Sequence, residues 1–162
     1  KLISRYNLST ITLQYREINL TRLLEQLVYE FQPILEEKGL TCRLAAADDT
    51  MLKCDADKMQ RVFDNLLRNA VAYCYDKTEI TIEARSGEDE VTLQFSNHGG
   101  TIPKEKLEHI FEQFYRLDTG RSTDGAGLGL AIARQIVTLH NGTITAESRD
   151  GVTVFTVILP AL

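Results

Sequence analysis

"TEITIEARSGEDEVTLQFSN", residues Thr78 to Asn97, holds two runs that alternate apolar and polar residues, joined by the polar link RSGED. Alternation of period two marks a half-buried strand, and two such runs across a short Gly-containing link read as an antiparallel hairpin. A second hairpin closes the chain, where "TITAES" and "VTVFTVILP" meet across Asp150-Gly151, a strong turn pair. Leu40–Ala45 alternates weakly and reads as a strand, and Met51–Cys54 is a shorter candidate.

Between these strands lie helical patterns. Leu23, Leu24, Leu27, Val28, Phe31, Ile34 and Leu35 recur at helical spacing, so a helix is expected over Leu20–Lys38, with Asn19 as N-cap and Gly39 as the stop. Pro33 either kinks or subdivides it. Asp55 caps a second helix, Ala56–Tyr73, whose core face is Met59, Val62, Phe63, Leu66, Leu67 and Ala70. A short helix is expected at Lys104–Ile110 and a last one at Leu128–Leu139, closed by Asn141-Gly142. Leu117–Asp124 has almost no apolar content and reads as a mobile loop. Hairpins dominate, and strands do not alternate strictly with helices. That order predicts an α+β two-layer sandwich rather than a doubly wound parallel sheet.

The totals bound the function. The 162 residues suit one domain, with 43% hydrophobic and 25% charged residues. The net charge of -5 argues against a nucleic-acid partner. No apolar run approaches the roughly 18 residues a membrane helix needs. Cys42, Cys54 and Cys74 are an odd number without zinc spacing, so they read as buried reduced thiols in a cytosolic setting. The chain opens on Lys1, and "KLISRYNLSTITLQYREI" reads as the last turn of a preceding helix and a linker over residues 1–18, ahead of one domain over 19–162.

Two stretches carry chemistry. "RSTDGAGLGLAIARQIVTLHNG", Arg121–Gly142, sets Gly125, Gly127 and Gly129 at alternate positions before a helix. Glycine lets backbone amides approach a ligand closely, and a helix N-terminus favours an anion. The P-loop pattern is absent, and the glycine spacing and preceding polar loop do not fit a dinucleotide fingerprint. "RVFDNLLRNAVAY" places Asn65 and Asn69 four residues apart on one helix face, along the edge of the apolar stripe, with Arg61 on the same edge. An amide oxygen is a hard, neutral ligand suited to Mg²⁺ between phosphates. Two ordinary polar residues at a helix boundary would look the same.

Together these motifs resemble the sensor histidine kinases. "NLLRNA" is similar to their N box, "SNHGGTIP" sits where the G1 box belongs, "IFEQFYR" resembles the F box and "GAGLGL" the G2 box, in the family's order. The resemblance implies the Bergerat ATP-binding fold shared with gyrase and the chaperone Hsp90: a mixed, mostly antiparallel sheet backed by three helices, with ATP under a mobile lid. Carried over by position, it implies Asn69 as the Mg²⁺ ligand and Asn65 as support for phosphate or metal. Gly125, Gly127, Leu128, Gly129 and Leu130 would lie at the phosphates, Arg116 near the terminal ones. Tyr73, Asn97, Gly99 and Ile102 would surround the base, and Phe111 and Phe114 would anchor the lid. Catalysis would rest on Arg116 and Asn65, with ATP and Mg²⁺ as cofactors.

Departures bear on the chemistry. Asn97 stands where the G1 aspartate belongs, Thr101 replaces the second G1 glycine, and Ala72 replaces a lysine, leaving Arg61, Arg116 or Arg121 to meet phosphate charge. The superfamily's hydrolases carry a glutamate four residues before the first asparagine, and Arg61 fills that slot, which favours phosphoryl transfer over hydrolysis. His98 lies in the G1 loop within reach of a base, His109 reads as a surface residue, and His140 reads as a helix-end cap; none sits in an acceptor pattern. The implied partners are the protein's own dimerisation and phosphoacceptor domain and a response regulator. The fragment is expected to be monomeric, the cytosolic part of a membrane-anchored homodimer. A nucleotide-binding regulatory module and a gyrase-like ATPase are the competing readings.

Overall fold

The computed structural model describes residues 11–115 and 129–161. In chain order the elements are β1 (Tyr15–Asn19), α1 (Leu20–Glu30), α2 (Gln32–Glu37), β2 (Thr41–Ala46), β3 (Met51–Asp55) and α3 (Ala56–Tyr73). They continue with β4 (Glu79–Ser86), β5 (Glu90–His98), α4 (Lys104–Leu107), α5 (Gly129–Leu139), β6 (Thr143–Arg149) and β7 (Val152–Pro160).

Both expected hairpins form. Thr81 faces Ser96 in β4–β5, and Thr145 faces Thr156 in β6–β7. They join through β5–β7 pairing into a five-stranded sheet of order β2-β4-β5-β7-β6, and β2 adds parallel to β4 at its edge. The sheet is therefore mixed and mostly antiparallel. Its inner face, including Ile80, Ile82, Leu93, Phe95, Phe155 and Val157, is buried in one core with Leu24, Phe63, Leu66, Leu67, Ile132 and Ile136 of α1, α3 and α5. The α+β two-layer sandwich backed by three helices is what the sequence predicts.

Several elements differ from their expected form. The first helix divides at Phe31, whose φ of -86° and ψ of -4° end α1, and Pro33 sits in the first turn of α2, where its missing N–H costs nothing. The helix expected over Lys104–Ile110 covers only Lys104–Leu107. Tyr15–Ile18, read from sequence as linker, belong to strand β1, antiparallel to β3. Cys54 and Cys74 are buried, Cys42 is half-buried, and all three are free thiols. Burial pushes the Cys42 thiol up to about 12 and the Cys54 thiol up to about 11. The expected mobile loop Leu117–Asp124, and with it the lid, lies outside the described residues, as do residues 1–10 of the segment 1–18 expected to hold a helix end and linker.

Candidate nucleotide site

The site begins with α3. Asp55 accepts from the Lys58 backbone N–H at 3.2 Å and starts the helix, with Asp57 in the first turn favoured by the helix dipole. Met59, Val62, Phe63, Leu66, Leu67 and Ala70 are buried at helical spacing, which fixes the helix's rotation. Asn65 and Asn69 are thereby held half-buried on the edge of that stripe, and Arg61, one turn before Asn65, is exposed. At the other end, Lys38 Nζ donates to the carbonyls of Val71 (2.5 Å) and Cys74 (3.3 Å), groups that the helix itself leaves unpaired.

Three elements and a loop enclose a cavity of about 220 Å³ against α3. Asn69 and Tyr73 of α3 form one wall, Asn97 of β5 and Thr153 of β7 the floor, and Ile102 lies in the loop beyond β5. Asn97 and Thr153 are direct cross-strand partners, 4% and 3% exposed. Lys106 of α4 closes one side and is the cavity's cation; among the lining residues there is no carboxylate. The loop is pinned. Gly99 N donates to Gly151 O at 2.9 Å, Gly151 N to the Thr101 hydroxyl at 2.8 Å, and Ile102 N to Ser148 Oγ at 2.8 Å. The replacement of a glycine by Thr101 thus adds a hydrogen bond to the β6–β7 turn.

Gly99 must be glycine for lack of space. It bridges to Cys74, and a Cβ there would meet the Tyr73 carbonyl oxygen at 2.4 Å. Asn65 stands apart from the cavity's lining, with its amide donating to the Gly129 carbonyl at 3.0 Å. Gly129 opens α5, and Leu130 packs half-buried against the core.

The sequence-predicted site therefore assembles in part. Asn69, Tyr73, Asn97 and Ile102 line one cavity; Gly99 supports its wall; Asn65 and Gly129 meet beside it. Arg116, Arg121, Gly125, Gly127 and Leu128 lie outside the described residues. His98 is exposed at the end of β5 and is not among the cavity's lining residues. Phe111 packs edge-on against Phe155 with centroids 6.0 Å apart and Arg134 over its face, but Phe114 is 60% exposed, at a φ of +67°. Of the two expected anchors, Phe111 is half-buried against the core and Phe114 is exposed. Lys106 and Thr153 were missed. The signals were a spacing of four from Ile102 to Lys106, and the pairing register that sets Thr153 opposite Asn97.

His140 caps more than its own helix. It is buried, Nδ1 donates to the Ile136 carbonyl at 2.8 Å, and Nε2 accepts the Asp55 backbone N–H at 3.0 Å. Asp55 also accepts from Gln14 N at 2.9 Å, and Tyr15 sets its ring edge-on to His140. The end of α5, the start of α3 and β1 therefore meet at one point. Burial raises the Asp55 carboxyl, but the Gln14 and Lys58 backbone hydrogen bonds and the Lys58 charge outweigh it and hold it below the usual range. His109, on the surface, pairs with Glu112 at 2.6 Å.

The donor set suits a Mg-nucleotide. Among the described residues no three His, Cys, Asp or Glu side chains gather to cage a metal. Mg²⁺ keeps waters and phosphate oxygens and takes one or two oxygens from protein, which the Asn69 and Asn65 amides can supply. A cavity with apolar, amide and hydroxyl lining suits a base.

Comparison with known proteins agrees. Residues 54–162 match the model of the histidine kinase-, DNA gyrase B- and HSP90-like ATPases. The chain belongs to this family. Its similarity runs to the ATP-binding catalytic domains of sensor histidine kinases. It is 49% identical to the sensor protein VanS of Enterococcus faecium over 99% of the chain and 42% of VanS. It is 43% identical to VanSC of Enterococcus gallinarum over 98% of the chain and 44% of that relative. The catalytic domain of histidine kinase ThkA superposes with a TM-score of 0.83 at 27% identity, over 92% of the chain and 97% of that domain. The chain spans less than half the length of the curated relatives it matches. None of the described helices is long and apolar enough to cross a membrane.

Proposed function

We propose that this domain binds Mg-ATP and transfers the γ-phosphoryl group to a histidine of a separate phosphoacceptor domain. The observation that carries the reading is the convergence of Asn69, Tyr73 and Asn97 on one cavity, beside the Asn65–Gly129 contact. The base occupies the cavity over Asn97, with Tyr73 and Ile102 against its faces. Asn69 is the metal ligand. Asn65 is a positioning residue that sets the start of α5, whose amides and those of Gly125, Gly127 and Leu128 receive the phosphates. Arg116 meets the terminal phosphate charge. When bound, Mg²⁺ neutralises charge between the phosphates.

Transfer is favoured over hydrolysis by Arg61, which stands on α3 one turn before Asn65 where a water-activating carboxylate would be needed. The acceptor imidazole nitrogen forms the new bond to phosphorus, the bond to ADP's β-phosphate oxygen breaks, and the imidazole proton passes to an acidic group of the acceptor domain. The domain's contribution is positioning and electrostatics. In this assignment the residues before Tyr15 lead from the acceptor domain, the intact protein is a membrane-anchored homodimer, and a response regulator receives the phosphoryl group from the histidine.

The test supplies a dimerisation and phosphoacceptor domain in trans with γ-labelled ATP. Acid-labile, alkali-stable label on its histidine is the expected result. Nucleotide binding with no label on any acceptor would support the regulatory-module reading instead, and fast phosphate release by the domain alone would support hydrolysis.

A further inference from the structure

Asn97 is buried to 4% exposure on the floor of the cavity, yet its side chain makes no hydrogen bond to another described residue. Its cross-strand neighbour does not hold it, because the Thr153 hydroxyl is paired with Ser148 Oγ at 2.9 Å. On the other side lies Gly99, with no side chain; even a Cβ there would stand 3.4 Å from Asn97 Nδ2. The amide faces the cavity and not the sealed core, so its hydrogen-bonding groups are left for whatever occupies that space.

The chemistry of that amide decides what it can read. An amide carries one accepting oxygen and two N–H donors, and a half-turn of its terminal torsion exchanges them. The edge of adenine offers an N6–H donor beside the N1 acceptor. A 6-oxopurine offers the reverse, an O6 acceptor beside an N1–H donor. A carboxylate can accept from the N6–H of the first or the N1–H of the second, but it cannot donate to the neighbouring acceptor, and its charge is repelled more by the carbonyl O6 than by N1. An amide matches either in its two orientations. The rest of the lining agrees, because Lys106 supplies donors and no carboxylate is among the lining residues.

We infer that the cavity takes 6-oxopurine nucleoside triphosphates as well as ATP, with Asn97 as the residue that sets this tolerance. The inference rests on the nucleotide reading of the cavity. A site whose groups match one hydrogen-bonding pattern rejects the mismatched partner by 10⁴–10⁵; an amide free to turn lowers that barrier to about tenfold or less.

Inosine triphosphate is the probe, because it differs from ATP at the edge in question and adds no 2-amino group. Displacement of trinitrophenyl-ATP by ATP and by inosine triphosphate is measured with Mg²⁺ on the wild type and on Asn97→Asp, with thermal melts confirming that the variant is folded. The expected wild-type affinities lie within about tenfold of each other. The expected effect of Asn97→Asp is a ratio above about 100-fold, through loss of the inosine nucleotide. A wild type that binds ATP but rejects inosine triphosphate by more than 100-fold overturns the inference and leaves ATP binding intact; that measurement needs no variant. A folded Asn97→Asp protein with an unchanged ratio overturns the role of Asn97. A wild type from which neither nucleotide displaces the probe removes the nucleotide reading itself.

Discussion

The side-chain amide of Asn65 donates to the backbone carbonyl of Gly129 at 3.0 Å, across sixty-four positions of sequence. This contact joins the middle of α3 to the first residue of α5. A carbonyl in the first turn of a helix ordinarily pairs along the helix. Here it also takes a side-chain donor from outside, so the helix start is held against the asparagine edge.

Asn65→Asp replaces that donor by an acceptor and sets a carboxylate against a carbonyl. The expected loss is about 1–2 kcal/mol in urea denaturation. Amide exchange at Leu130–Ala133 should quicken while the sheet amides keep their protection. Unchanged exchange at the start of α5 would show that the contact does not hold that helix in place.

Gly99 and Gly100 are neighbours with opposite tolerances. A Cβ at Gly99 collides with the Tyr73 carbonyl at 2.4 Å, whereas one at Gly100 meets only the Tyr75 hydroxyl at 3.8 Å. The Tyr73 carbonyl cannot withdraw without moving the end of α3. Gly99→Ala should therefore cost about 2 kcal/mol or more, and Gly100→Ala less than about 1 kcal/mol. Denaturant midpoints of the two variants compare them directly.

The residues that the sequence reads well are those whose environment is local. The cap at Asp55, the apolar stripe of α3 and the edge that carries Asn65 and Asn69 follow from spacing alone, and both hairpins follow from alternation and turn residues. What spacing misses is non-local. β1 has no buried face of its own, with Tyr15, Arg16 and Glu17 exposed, and it exists because it pairs with β3 some thirty-six residues later. The parallel addition of β2 to β4 likewise needs α3 as its crossover. Thr153 enters the cavity only through strand register. His140 was legible as a cap, but its bond to Asp55 N, eighty-five positions away, was not.

His140 gives the fold a dependence on pH. Burial holds its imidazole below the usual range, against the Ile136 hydrogen bond and the Asp55 charge, which favour the imidazolium. Below its ordinary value of about 6.5 the unfolded chain binds a proton that the folded chain resists. This contribution is therefore complete above that value and is lost as pH falls toward the folded value. His109 has the opposite sign. The Glu112 hydrogen bond and charge raise it, so its contribution is lost as pH rises, and its exposure to solvent keeps that contribution small. Urea denaturation between pH 8 and pH 5.5 should show stability falling with pH in the wild type. His140→Phe should flatten this slope and lower stability at pH 8 by about 1–3 kcal/mol, because Asp55 N–H loses its acceptor. An equal slope in both proteins would remove His140 as the source.

The central claim is that Asn69 holds the metal that seats the triphosphate. Calorimetric titration of ATP into the wild type and Asn69→Ala, each with and without Mg²⁺, tests it most directly. The expected result is a wild type whose ATP affinity rises with Mg²⁺ and a folded variant in which that rise is lost, with Mg-ATP bound at least tenfold more weakly. Equal Mg-ATP affinity in the variant and the wild type would contradict the account.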